Sequence, residues 1–138
     1  MKIIQRMLIN IIFCLLLNLF ACPLYAGIYY VSPTGSSSWS QAQNIATPTS
    51  ISSAMRYAVA GDIVYFRGGT YSYSGSVAAP YHATYEPNNS GTSTNPIVFQ
   101  AYNNELPIIS ITYTSGSNGF GIGTGGKNYI TWDGFKVT

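Results

Sequence analysis

From Gly27 onward the chain carries a single leucine, Leu106, against ten isoleucines, six valines, twelve threonines and eleven tyrosines. Strong helix formers are scarce and β-branched and aromatic residues abound, so an all-helical fold is excluded. The apolar residues fall in short runs bounded by Gly, Pro, Ser and Asn. These runs read as strands over Ile28–Val31, Ile63–Arg67, Ile97–Tyr102, Ile108–Thr112, Tyr129–Trp132 and Phe135–Thr138. Such runs also argue against a disordered chain. The length of 138 residues suits at most one domain.

The segment Met1–Ala26 is of a different kind. Met1–Arg6 is short and positive, and Met7–Ala21 is an apolar core interrupted by Asn10 and Asn18. That core is shorter than the roughly 20 residues needed to span a bilayer. Leu24-Tyr25-Ala26 ends on a small residue, so a signal peptide cut after Ala26 is expected, and with it a secreted, extracellular protein. An alternative is set by Leu19-Phe20-Ala21-Cys22, which resembles a bacterial lipobox and would make Cys22 a lipidated membrane anchor. With the cut after Ala26, both cysteines (Cys14 and Cys22) leave with the leader, and no disulfide or thiol metal site remains. The chain 27–138 then holds Arg56, Arg67, Lys127 and Lys136 against Asp62, Glu86, Glu105 and Asp133, a net charge of zero. No basic footprint for nucleic acid survives.

One helix is expected. Ile51, Ala54, Met55 and Ala58 recur at helical spacing, Thr49 or Ser50 can cap the start, and Gly61 stands where a left-handed C-terminal residue belongs. Thr70–Pro96 is rich in Tyr, Ser, Asn, Gly and Pro and reads as a long loop or insertion. An internal echo follows it. Ile109-Ser110-Ile111 is repeated as Ile130-Thr131-Trp132, and Phe99 and Ala101 are repeated at the same offset as Phe120 and Ile122. A shared offset points to stacked coils, as in a solenoid; a sandwich with accidental spacing is the alternative. The run Phe135–Thr138 has no turn or cap after it, so 27–138 is expected to be the cap and first coils of a longer β-helix.

Chemistry-bearing motifs are sparse. Gly121–Gly126 matches G-x-G-x-x-G, but a strand rather than a helix should follow it, so nucleotide binding is not expected. His82 stands in a loop without evident metal or catalytic partners. Asp62 and Asp133 sit at turns and are read as structural. No catalytic residue and no metal site are assigned. Tyr81 and Tyr85 are the candidate sugar contacts, since tyrosines offer rigid apolar area with a polar tip; folding the loop onto the first coil is their other reading.

The order of these features resembles the start of secreted right-handed parallel β-helix proteins. Tyr29–Ser36, the short helix, Ala60–Tyr71, Asn95–Tyr102 and Asn128–Phe135 carry the likeness. It points to the pectate-lyase-like polysaccharide lyases, family 9 among them. The resemblance implies that the helix plugs the first coil and that the partner is an acidic polysaccharide. It also implies β-elimination at a uronate, with calcium bridging the substrate carboxylate and a Lys or Arg taking the C5 proton. Those groups would lie on later coils, and no position in this sequence matches them. A non-catalytic cell-surface β-helix for glycan binding or adhesion is the second expectation.

Overall fold

The structure, a computed structural model, describes residues 26–75, 82–114 and 119–138. The expected leader up to Tyr25, with both cysteines, lies outside the described residues, as does Tyr81. Strands β1 (Ile28–Val31), β2 (Ile63–Phe66), β3 (Gly69–Gly75), β4 (Ala83–Tyr85), β5 (Ile97–Ala101), β6 (Pro107–Tyr113), β7 (Phe120–Ile122), β8 (Ile130–Asp133) and β9 (Lys136–Val137) follow one another, with helix α1 (Ile51–Tyr57) between β1 and β2. They form three sheets, ordered β1-β2-β5-β8, β3-β6-β9 and β4-β7. Each described pairing of strands is parallel. The chain visits the first, second and third sheets in turn and then returns to the first, which makes it a parallel β-solenoid.

Register fixes the length of a coil. On the first sheet Ile63 lies beside Val98 and Ile97 beside Ile130. On the second, Gly69 lies beside Pro107, and on the third, Ala83 lies beside Phe120. The echo seen in the sequence is therefore not the coil repeat. The in-register neighbour of Ile109 is Val137, not Ile130, and that of Phe99 is Trp132, not Phe120. Ile109 and Ile130 belong to different sheets, as do Phe99 and Phe120. The shared offset measures the walk from one face of a coil to a later face, where a strand is again required. The expected 70–96 loop is also corrected: it contains most of β3 and all of β4, which are parts of the first full coil.

Like residues stack above like inside. Tyr29, Val64, Phe99 and Trp132 form one inward row, and Val31, Phe66 and Ala101 the next. Phe99 and Trp132 stack at 4.4 Å, while Phe66 meets Phe135 edge-on at 5.0 Å. The second and third sheets add Tyr71, Ile109 and Tyr85 to the same buried cluster. Tyr71 donates its hydroxyl to the carbonyls of Arg67 (2.8 Å) and Val31 (3.1 Å), so its buried polar tip is satisfied. Burial pushes that hydroxyl well above the usual tyrosine range.

The first coil is closed at its outer end. Ser50 caps α1 by accepting the Ser53 N–H at 3.2 Å, and Ile51, Ala54, Met55 and Ala58 are buried in the solenoid core. Asn88 N–H donates to the Met55 carbonyl and the Asn89 amide to the Ala58 carbonyl, satisfying the last turn. The helix ends at Tyr57, so Gly61 is not its C-terminal residue; its φ of +91° serves the turn into β2 instead. The free edge of β1 is covered by Thr49, which donates its N–H to the Tyr30 carbonyl and accepts from Ser32 N–H. Gly35 is required here because a Cβ would lie 2.0 Å from the Thr49 carbonyl oxygen. Trp39, on the polar loop before α1, stacks on Tyr29 at 3.8 Å and seals the end of the inward row.

Candidate functional site

Strand alternation puts Tyr30, Tyr65, Gln100 and Asp133 in one row on the outside of the first sheet. Beside them runs Ile28, Ile63, Val98 and Thr131, likewise facing outward. This face holds an open groove of about 510 Å³ lined by Tyr65, Gln100, Tyr102, Asn103, Asn104 and Asp133. Tyr30 and Tyr65 stack at 5.8 Å, and Tyr102 meets both edge-on, at 5.7 and 5.5 Å. Asn103 and Asn104 adopt left-handed backbone with φ of 45° and 63°, a conformation asparagine tolerates better than most residues.

The rim of the groove is fixed by an ion pair. Arg67 Nε donates to both oxygens of Glu105, at 2.9 and 3.0 Å, and its guanidinium lies 5.3 Å from the Tyr102 ring centre. Glu105 also accepts the Gly68 N–H. The Arg67 hydrogen bond, then the Gly68 N–H, holds the Glu105 carboxyl below its ordinary range. Of the residues lining the groove, Asp133 is the charged one. It is exposed at the end of β8, before Gly134 at φ +78°.

A second concavity of about 270 Å³ lies at the third sheet, between His82, Glu86, Phe120 and the Gly123–Gly126 turn. His82 Nδ1 is 3.5 Å from Oε2 of Glu86, four residues on in the chain, and the histidine side chain is 60% exposed. Glu86 Oε1 accepts the Ala83 N–H. Gly121, inside the G-x-G-x-x-G match, lies in β7, where a Cβ would meet Val137 at 2.6 Å. Strand β8 follows, so the helix N-terminus that a phosphate-binding reading of that motif needs is not there.

The candidate sugar contacts fare differently from the groove. Tyr81 lies outside the described residues. Tyr85 is 8% exposed, pairs in register with Ile122 and meets Tyr73 edge-on at 6.5 Å. It faces the core, where burial raises its hydroxyl pKa, and suits packing rather than glycan contact. Tyr30, Tyr65 and Tyr102 are the tyrosines on the groove side. The signal that could have found them is the i, i+2 alternation within Ile63–Arg67, where Val64 and Phe66 point inward and Tyr65 must point out.

The calcium implied by the resemblance does not find its donors among these residues. Asp62 accepts Gly27 N–H at 2.8 Å and Val59 N–H at 2.9 Å, one on each oxygen, and is fully buried. Glu105 is held by Arg67 and Gly68, and Glu86 by Ala83 and His82. Among the described residues, no group of three His, Cys, Asp or Glu side chains could hold a metal ion.

Three parallel sheets, a helical plug and an aromatic outer face define a capped parallel β-helix with an open groove on its first sheet. The family model described as "Pel9A-like, right handed beta helix region" matches residues 29–138, and the chain belongs to that family. The solenoid is accordingly a right-handed parallel β-helix of pectate-lyase-like type, a polysaccharide-related class. Comparison with curated proteins and with solved structures gave no match.

Proposed function

We propose that this chain forms the plugged end and first coils of an exported protein that acts on acidic polysaccharide, and that the groove on the first sheet is where it meets glycan. The observation that carries this reading is the Tyr30–Tyr65–Tyr102 cluster. Three rings are held at fixed angles on an open sheet face with amide side chains beside them, an arrangement that suits sugar rings with apolar faces and hydroxyl edges. The family supports the finer reading of pectate-lyase-like β-elimination. Asp62, Glu86 and Glu105 are engaged elsewhere, and no three metal-ligating side chains converge among the described residues, so in this reading the eliminating groups belong on coils that follow these. Glycan binding or adhesion without chemistry is the second reading, and the same engagement of the carboxylates favours it.

The test uses the full-length protein with polygalacturonate. The expected result is a rise in ultraviolet absorbance from unsaturated product that stops when calcium is chelated. Absence of product across several uronate polymers, with binding retained, transfers the function to the second reading.

A further inference from the structure

We infer that the first-sheet groove selects uncharged sugar residues and discriminates against uronates. The inference rests on the reading that the groove binds glycan, and it adds the class of sugar: the neutral residues of a polysaccharide whose uronates, on that same reading, are met on the coils that follow.

The argument is one of charge. A site for a polyuronate needs cations facing the polymer, whether side chains or a bridging metal ion, and among the described residues no group of three His, Cys, Asp or Glu side chains could hold such an ion. Here the lining residues carry one charge, the Asp133 carboxylate, and it is negative. Arg67, which lies against the Tyr102 ring, is turned to Glu105 through two short Nε contacts. That pair adds no net charge. A uronate carboxylate brought close to Asp133 is repelled, and the repulsion grows as water is excluded from between the two. Hydroxyl groups, in contrast, can donate to Asp133 and both donate to and accept from Gln100, Asn103 and Asn104. The apolar faces of neutral pyranose or furanose rings fit the rings of Tyr65 and Tyr102, whose mutual angle of 84° offers one flat platform and one wall. The aliphatic row Ile28, Ile63 and Val98 extends that apolar surface along the sheet.

The measurement is titration calorimetry with neutral oligosaccharides (galactan, arabinan and xylan fragments) and with oligogalacturonate, at low and at high salt. Neutral fragments are expected to bind and oligogalacturonate to bind at least about tenfold more weakly at low salt, a gap that narrows as salt screens Asp133. Tyr65→Ala is expected to weaken neutral binding about tenfold while Tyr65→Phe keeps it, because the ring face and not the hydroxyl makes the contact. Asp133→Asn, an exposed change that leaves the core untouched, should raise oligogalacturonate affinity. Preferential binding of oligogalacturonate, lost in Tyr65→Ala, overturns the neutral assignment and leaves the groove as the glycan site. Absence of binding to every glycan, by the wild type as well as the variants, removes the groove reading itself.

Discussion

Asp62 and Glu105 are both single carboxylates that hold backbone in place, yet their titrations act in opposite directions. Asp62 is buried, and burial lifts its pKa despite the two N–H donors it accepts. A carboxyl whose folded pKa lies above its unfolded value withdraws stability as pH rises through that interval. Glu105 is depressed, so its contribution is complete above the unfolded pKa and is lost as pH falls through the folded one. The stability gap between wild type and Glu105→Gln should therefore be present at neutral pH and close as acid protonates the wild-type carboxylate, read from urea midpoints. Asp62→Asn is expected to cost about 1–3 kcal/mol, because an amide nitrogen would have to face either the Gly27 or the Val59 N–H. Urea unfolding at neutral pH measures it, and an unchanged midpoint would show that one of those N–H groups finds water instead. The role of Asp62 as a turn residue was legible from Gly61-Asp62. Its partnership with Gly27, far off in the chain, was not, since nothing local to Gly27 announces it.

At the scale of elements, the helix was the clearest feature in the sequence and proves to be the plug. So short a helix cannot be stable alone, and its order depends on the buried face. Met55→Ala should destabilise the protein by about 2–5 kcal/mol and Ser50→Ala by about 1 kcal/mol, both read by thermal melts. Equal, negligible losses would mean that the helix is dispensable to the first coil. Strands on the first sheet were legible because their inner positions are apolar or aromatic and their runs are rich in β-branched and aromatic residues, and their bounds fall close to those expected. β3 was lost in a stretch that looked like loop. Its alternation Thr70-Tyr71-Ser72-Tyr73-Ser74 is strand-like, with the tyrosines inward, but Ser and Gly density masked it. β4 and β7 are so short that they carry too little periodicity to be seen.

For the whole molecule, the two ends of the solenoid differ. The β1 end carries the plug, Trp39 and the Thr49 bridge. The other end presents β7, β8 and β9, each paired on one side only among the described residues, with Phe120, Tyr129 and Val137 exposed nearby. Unpaired parallel edges beside apolar side chains template further pairing. The chain 27–138 alone is thus expected to associate with rising concentration in analytical ultracentrifugation, and a monomer with a sharp cooperative melt would contradict this. The sequence by itself determined the all-β class, since leucine-poor, Ile-, Thr- and Tyr-rich runs between turns exclude an all-helical fold, and the spacing of Ile51, Ala54, Met55 and Ala58 determined the helix. Both are local properties, set by side-chain shape and periodicity. Only the tertiary structure decided the true coil length, the inward turn of Tyr85 and the convergence of Tyr30, Tyr65, Tyr102 and Asp133 on one face. Those depend on register between strands a full coil apart, which is fixed by packing of the whole interior rather than by any one segment.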